Sequence, residues 1–127
     1  MSKKIIKTKN APQPIGPYNQ AVVIGNLIYT SGQIPIEIAT NQLISGGVSD
    51  QTRLVIKYLQ AILEEAGSSL SKIVKCTVFL KNMNDFAEMN KVYTEFFPAD
   101  SAPARSTIEV ARLPKDVLVE IEAVASI

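Results

Sequence analysis

Residues 103–125, PARSTIEVARLPKDVLVEIEAVA, restrict the fold more than any other part of the chain. From Val117 to Ala125 every odd position is apolar, while Glu120 and Glu122 occupy two of the even positions. Residues 105–110 alternate in a similar way. A period of two is typical of a β-strand that buries one face. The intervening LPKD fits a four-residue loop, so the sequence predicts a β-hairpin.

The predicted hairpin assigns a face to each of its charged residues. In the register set by a four-residue loop, Glu109 lies opposite Glu120, and the polar residues of both strands share one side. Apolar residues such as Ile108 and Ile121 share the other side, where we expect helices to pack. The polar side would be the uncovered face of the sheet, and it would carry Arg105 and Glu120 together.

The rest of the chain predicts four more strands and two helices. Apolar and β-branched runs predict strands at 3–8, 20–24, 27–34 and 72–80, and Gly25-Asn26 predicts a two-residue turn between the second and third. Apolar residues at helical spacing predict helices at 49–67 and 84–97. Ser49 or Asp50 is expected to cap the first helix, and Gly67 to end it.

The resulting order, β-ββ-α-β-α-ββ, predicts an α+β fold. Only two helices serve about six strands, so the economical arrangement is a single mixed sheet with both helices packed on one face. At 127 residues the chain is most simply one domain, 1–127. The other face of the sheet must then be solvated or covered by a partner.

Composition excludes several classes of chemistry. The chain has no histidine and one cysteine, which removes zinc sites built on these residues and nucleophiles activated by histidine. A net charge of +1 leaves no basic footprint for nucleic acid over the chain as a whole. Neither a secretory signal nor an apolar run of membrane-spanning length is visible, so we expect a soluble, cytoplasmic protein without a disulfide.

Several segments resemble the RidA/YjgF family of reactive-intermediate (enamine/imine) deaminases. They are IGPYNQA, YTSGQIP, NDFAEMNKVYTEFF and, above all, the C-terminal stretch 103–125. The resemblance implies a chorismate-mutase-like fold and a homotrimer whose ligand pockets lie between subunits. It also implies hydrolysis of 2-aminoacrylate and 2-iminobutanoate to 2-keto acids and ammonia, without a cofactor or a metal. Small 2-imino or 2-keto acids would be the ligands, and neither a membrane nor a nucleic acid is an expected partner.

The resemblance also implies roles for individual residues. Arg105 matches the arginine that grips the substrate carboxylate, and Glu120 matches the glutamate that positions the hydrolytic water. Thr107 stands where the family usually has cysteine, so only its backbone N–H is expected to serve the ligand. Other positions match residues that line the pocket: Tyr18, Ser31, Gly32, Phe86 and Asn90.

Other interpretations remain open at this point. Arg105 would also suit a structural ion pair with Glu120 or Glu122. Cys76, within an apolar strand, is expected to be a small buried hydrophobic residue without a catalytic role. The alternative functions are a ribonuclease or translation inhibitor, an activity attributed to some family members, and a non-enzymatic regulatory trimer that senses small molecules.

Overall fold

The computed structural model describes residues 2–127 and contains the predicted elements in the predicted order. Their bounds are β1 Lys4–Ile6, β2 Ala21–Ile24, β3 Leu27–Thr30, α1 Val48–Glu65, β4 Ile73–Leu80, α2 Phe86–Phe96, β5 Ala104–Glu109 and β6 Val119–Ser126. The six strands form one mixed sheet, as expected. None of the helices within residues 2–127 combines the length and apolar character needed to cross a membrane.

The strands lie in the order β1-β2-β3-β6-β4-β5. All neighbouring pairs are antiparallel except β4 and β5, which are parallel. The predicted turn between β2 and β3 is confirmed, because Ile24 pairs with Leu27 and Gly25 has a φ of 58°. A residue without a Cβ adopts this left-handed conformation at little cost, which suits a two-residue hairpin.

The predicted C-terminal hairpin is wrong, because β4 lies between β5 and β6. Cys76 of β4 pairs with Arg105 of β5 on one side and with Ala123 of β6 on the other. The alternation identified the buried residues of β6, but it assigned the faces of β5 wrongly: Ile108, expected under the helices, is exposed on the other face of the sheet. The alternation also could not define the neighbouring strand. The nearly continuous apolar sequence of β4 favours a position inside the sheet, whereas the shorter, more exposed β5 forms the edge.

Helices α1 and α2 pack together and cover one face of the sheet. Fully buried residues of α1, such as Leu59 and Ile62, face the odd-numbered residues of β6, such as Ile121. Burial of one such side chain stabilises the fold by roughly 1.5–3 kcal/mol. Gly67, with a φ of 83°, follows the helix as predicted. The predicted side-chain cap is wrong: the helix begins at Val48, so Ser49 and Asp50 already lie in its first turn.

The opposite face of the sheet carries no helix of the described chain, and we call it the uncovered face. It is less polar than predicted, because Tyr29 and Ile108 are each more than 40% exposed there. The uncovered face comprises one side of the five longer strands: Val22, Ile24, Leu27, Tyr29, Lys75, Thr77, Phe79, Ser106, Ile108, Glu120, Glu122 and Val124. A partly apolar face of this kind is typical of a surface that is covered by another molecule.

Candidate active site

Arg105 and Glu120 lie on opposite faces of the sheet, which corrects the prediction that one face carries both. Arg105 is the neighbour of Cys76, whose side chain is buried under the helices. Glu120 is the neighbour of Phe79 and lies on the uncovered face. The prediction failed because it paired β5 directly with β6. Insertion of β4 between them reverses the side on which Arg105 emerges.

Helix α2 holds the guanidinium group of Arg105 in a fixed position. The group lies 4.6 Å from the centre of the Tyr93 ring and 5.5 Å from the centre of the Phe86 ring. Its Nη1 donates a hydrogen bond of 2.8 Å to Oδ1 of Asn90. These three α2 residues share one helix face because they are spaced at i, i+4 and i+7. Cation–π contacts and the amide together restrain the plane of the guanidinium.

No carboxylate within residues 2–127 forms an ion pair with Arg105. The structural alternative, an internal ion pair with Glu120 or Glu122, is therefore wrong. A guanidinium has five N–H donors, and Asn90 accepts from only one nitrogen. The remaining donors of this half-buried side chain are free to bind a carboxylate from outside the chain. An open cleft of about 350 Å³ adjoins them.

Tyr93 is a site residue that the sequence did not reveal as such. Burial raises the pKa of its hydroxyl, and the neighbouring Cys76 raises it further, so the ring stays neutral and presents a π face to Arg105. Burial likewise raises the pKa of the Cys76 thiol, which agrees with the expectation of an inert, buried cysteine. The sequence analysis placed Tyr93 only on the apolar face of α2. Its position three residues after Asn90 could have indicated that both side chains lie on the same side of the helix.

Thr107 follows Arg105 by two residues and lies on the same face of β5, beside Val78. Residues two apart on a strand are about 7 Å apart, so the structure brings Thr107 into the surroundings of Arg105. Phe86, Asn90, Arg105 and Thr107 thus form one group, which we call the arginine half-site. Asn90 and Phe86 contact Arg105 itself, so they position its guanidinium group. This role is separate from the predicted contact of the two residues with a ligand.

The second group contains Glu120 and Gly32, which lies against it, together with Ser31, the residue before Gly32, and Tyr18, which lines a groove with Gly32. We call these four residues the glutamate half-site. Gln33 and Ile121 exchange backbone hydrogen bonds of 2.8 and 3.2 Å, which fix the segment after β3 against β6. Gly32 consequently lies against the Glu120 side chain. A methyl group at Gly32 would lie only 2.8 Å from the carboxyl carbon of Glu120, so any side chain here would push the Glu120 carboxylate aside.

Ser31 organises the loop that carries Tyr18. Its hydroxyl donates a hydrogen bond of 2.6 Å to the carbonyl of Asn19, and its backbone N–H donates to the carbonyl of Gln20. This bonding gives the Ser31 hydroxyl a structural role, while its oxygen can still accept a hydrogen bond, so the position of Ser31 in the pocket lining stays a prediction. Tyr18 is half exposed, and with Gly32 and Pro114 it lines a groove of about 300 Å³.

Burial raises the pKa of Glu120 above the ordinary value of a glutamate, and the charge of Glu122 raises it further. Desolvation disfavours the ionised carboxylate, and a nearby negative charge acts in the same direction. A carboxyl group with a raised pKa keeps its proton to a higher pH than an ordinary glutamate does, which suits it to proton transfer. Within residues 2–127 no group of three or more His, Cys, Asp and Glu side chains is placed to hold a metal ion.

We expect Gly32→Ala to lower the activity proposed below by at least about tenfold, because the added methyl group displaces the Glu120 carboxylate. The measurement is imine hydrolysis by a variant whose folding is verified by circular dichroism. Gly47→Ala is the matched control, since a methyl group at Gly47 meets no atom within 4 Å. Equal activity of Gly32→Ala and the native chain would show that the position of Glu120 is unimportant.

The structure defines a small α+β domain with two half-sites: one holds an arginine suited to an anion, and the other holds a carboxyl group with a raised pKa. Comparison with known proteins then identifies the family. The protein-family model described as Endoribonuclease L-PSP matches residues 8–127. The chain belongs to this family, the RidA/YjgF family, as its resemblance indicated.

Individual relatives cover almost the whole chain. A RutC family protein of Pyrococcus abyssi is 55% identical, over 98% of both chains. The 2-iminobutanoate/2-iminopropanoate deaminase of the mite Dermatophagoides farinae is 46% identical, over 98% of this chain and 97% of its own. The crystal structure of Escherichia coli TdcF with bound serine superposes with a TM-score of 0.90 at 48% identity, covering 98% of both chains.

Proposed function

We propose that this chain is a cofactor-independent deaminase that hydrolyses 2-enamino and 2-imino acids, such as 2-aminoacrylate and 2-iminobutanoate, to 2-keto acids and ammonia. The observation that carries the proposal is Arg105 itself: Phe86, Asn90 and Tyr93 hold it, and no carboxylate of residues 2–127 pairs with it. Such an arginine suits the carboxylate common to all these substrates. The deaminase name of the mite relative supports the reaction, and the serine bound to TdcF supports an amino-acid-like ligand.

The proposal requires two copies of the chain at each site. Arg105 and Glu120 lie on opposite faces of one sheet, so they cannot both touch one small substrate within a single copy. We propose a homotrimer in which the arginine half-site of one copy faces the glutamate half-site of the next. The partly apolar uncovered face, which carries Glu120, supports such an assembly. Its interfaces would bury on the order of 2,000 Å² or more.

The reaction needs proton transfers and a positioned water. An enamine first accepts a proton at its terminal carbon and becomes an iminium ion, the protonated form of the imine. Water then adds to the iminium carbon: a C–O bond forms, the C=N double bond becomes single, and one proton of the water moves to the nitrogen, which becomes an ammonium group. Finally the C–N bond breaks, ammonia leaves with the electron pair, and loss of the hydroxyl proton leaves the 2-keto acid.

Arg105 and Glu120 divide this chemistry between them. Arg105 anchors the carboxylate and so fixes the reacting carbon in the cleft. Glu120, whose pKa is raised, holds the water and carries protons between water, carbon and nitrogen. The backbone N–H of Thr107 is the further donor that we propose for the substrate carboxylate. Because imines hydrolyse readily in water, positioning and one proton carrier suffice.

Mixed assemblies of two inactive variants test the proposal most directly. Arg105→Ala lacks one half-site and Glu120→Gln lacks the other. Random mixing should restore about a quarter of the native imine hydrolysis, because a site takes an intact arginine half-site and an intact glutamate half-site with a chance of one half each. The measurement is deamination of enzymatically generated 2-iminobutanoate after joint refolding, with light scattering to verify trimers.

Two controls sharpen the result. Mixing either single variant with the double variant Arg105→Ala/Glu120→Gln should restore nothing, since one group is then missing everywhere. If the two single variants mix into trimers without regaining activity, the two residues do not form a site between copies. A stable monomer at micromolar concentration would contradict the assembly itself.

The description of the family model, an endoribonuclease, motivates one parallel assay. A net charge of +1 provides little attraction for phosphates, so we expect no RNA cleavage above that of Arg105→Ala. Cleavage by the native chain that falls steeply with salt would favour the ribonuclease over the deaminase.

A further inference from the structure

The groove that Tyr18 and Gly32 line, about 300 Å³ in volume, combines an apolar wall with a single cation; we call it the Tyr18 groove. Isoleucine and proline residues form much of its wall: Pro12, Ile15, Ile34, Ile36 and Pro114. Among the described residues that line it, Lys115 is the only charged one. Glu120 lies against Gly32 without lining the groove, so no carboxylate of residues 2–127 belongs to the lining.

Lys115 has no carboxylate partner within residues 2–127. It takes part in none of the ion pairs there, and the residue is exposed. The adjacent carboxylate of Asp116 is bound to Arg112, whose Nε and Nη2 donate hydrogen bonds of 2.8 and 3.2 Å to it. The charge of Asp116 is thus compensated by Arg112, and the ammonium group of Lys115 remains available to an anion from outside the chain.

A turn with an uncommon backbone conformation carries Lys115. Lys115 and Asp116 have φ angles of 55° and 56°, in the left-handed region that residues with a Cβ rarely adopt. The ion pair of Arg112 and Asp116 holds this turn, together with a hydrogen bond of 3.0 Å from the backbone N–H of Asp116 to the carbonyl of Leu113. Strained backbone that its surroundings maintain is frequent at ligand sites. The restrained turn therefore keeps Lys115 at the groove.

The proposed assembly sets a second cation against the same region. The arginine half-site of the next copy faces Glu120 and Gly32, so a substrate whose carboxylate is held by Arg105 has its reacting carbon beside Gly32. The Tyr18 groove begins at Gly32, and the side chain of that substrate can extend into the groove towards Lys115. An interface that covers Lys115 makes an anion there more necessary, because a buried charge is costly unless it is paired.

We propose that the Tyr18 groove selects 2-imino acids whose side chain ends in a second carboxylate, as in 2-iminoglutarate. The inference rests on the proposed function, in which Arg105 holds the first carboxylate and Glu120 holds the water. The methylene groups of the side chain pack against the isoleucine and proline wall, and Lys115 binds the distal carboxylate. Lys115 is thus a specificity-determining residue that touches the substrate away from the reacting carbon. The reaction is the same hydrolysis, with 2-ketoglutarate and ammonia as products.

Calorimetry with keto acids measures this recognition without reference to turnover. 2-Ketohexanoate matches 2-ketoglutarate in length but lacks the distal charge, so it reports the apolar wall alone. We expect the native chain to bind 2-ketoglutarate about tenfold more tightly than 2-ketohexanoate. Lys115→Gln should remove most of this difference, and Lys115→Arg should retain part of it. Lys57→Gln, which removes an exposed cation from α1, is the matched control and should keep the native difference.

Hydrolysis of two enzymatically generated imines connects binding to the reaction. The ratio of kcat/KM for 2-iminoglutarate to that for 2-iminobutanoate should fall about tenfold in Lys115→Gln, whereas a folding defect would lower both values and leave the ratio unchanged. Equal affinity of the native chain for 2-ketoglutarate and 2-ketohexanoate, or an unchanged ratio in Lys115→Gln, would overturn the inference and leave the proposed deaminase standing. Failure of the native chain to hydrolyse 2-iminobutanoate would instead overturn the proposed function, and the substrate class with it.

Discussion

Arg105→Ala should lose binding of simple 2-keto acids, the products of the proposed reaction. The guanidinium contacts the carboxylate in both substrate and transition state, so its removal weakens binding at least as much as turnover. We expect a cost of about 2–5 kcal/mol, since the charge pair is partly desolvated between Phe86 and Tyr93. Isothermal titration calorimetry with 2-ketobutyrate measures this loss.

Two further variants separate charge from geometry. Arg105→Lys should recover only part of the affinity, because an ammonium lacks the planar fork that bonds a carboxylate through two parallel N–H groups. Arg53→Ala is the matched control: it removes an arginine that pairs with Glu95 on the helices, and it should bind normally. Unchanged binding by Arg105→Ala would show that Arg105 does not bind the ligand carboxylate. The proposed function would then lose the observation that supports it.

Glu120→Gln should leave 2-keto acid binding nearly intact and lower kcat by about 10²–10⁴-fold, the contribution typical of general acid–base catalysis. The amide keeps the size of the side chain but cannot carry a proton. Single-turnover imine hydrolysis, measured on the same preparation as the calorimetry, provides the test, with Glu65→Gln as the control for loss of one negative charge. Hydrolysis at the native rate would mean that Glu120 handles no proton and that positioning by Arg105 carries the catalysis.

The same variant should not lose stability. Because the pKa of Glu120 is raised in the folded chain, folding favours its protonated form, and ionisation weakens the fold as the pH rises through that pKa. Below the ordinary pKa of a glutamate this penalty is absent. Near neutral pH, Glu120→Gln should therefore be as stable as the native chain or slightly more stable, by less than about 1 kcal/mol because solvent screens the partly exposed group.

Local patterns predicted the elements of this fold well. Helical spacing identified α1 and α2, the Gly25-Asn26 turn joined β2 to β3, and alternation identified the buried face of β6. These features depend on residues close together in the chain. Which strands lie side by side depends on residues that are distant in the chain. Strands β5 and β6 were predicted to pair because a short loop joins them, and this prediction was wrong. The apolar character of β4 indicated a central strand, but not which strands flank it.

The sequence predicted which residues belong to the candidate site better than it predicted how they are arranged. The family resemblance named all eight residues, whereas the prediction that Arg105 and Glu120 share one face came from the mistaken hairpin register. The contact of Asn90 with Arg105, the cation–π contact of Tyr93 and the approach of Gly32 to Glu120 all depend on tertiary packing. No period in the sequence encodes such contacts.

The central position of β6 has a consequence for folding of the chain. Strand β6 pairs with β3 on one side and β4 on the other, so it joins β1–β3 to the pair β4–β5. Until β6 docks, β3 and β4 expose unpaired edges that can bind other chains. Docking of β6 closes both edges and places Glu120 against Gly32 in the same step. Completion of the sheet and placement of the Glu120 side chain are therefore a single folding event.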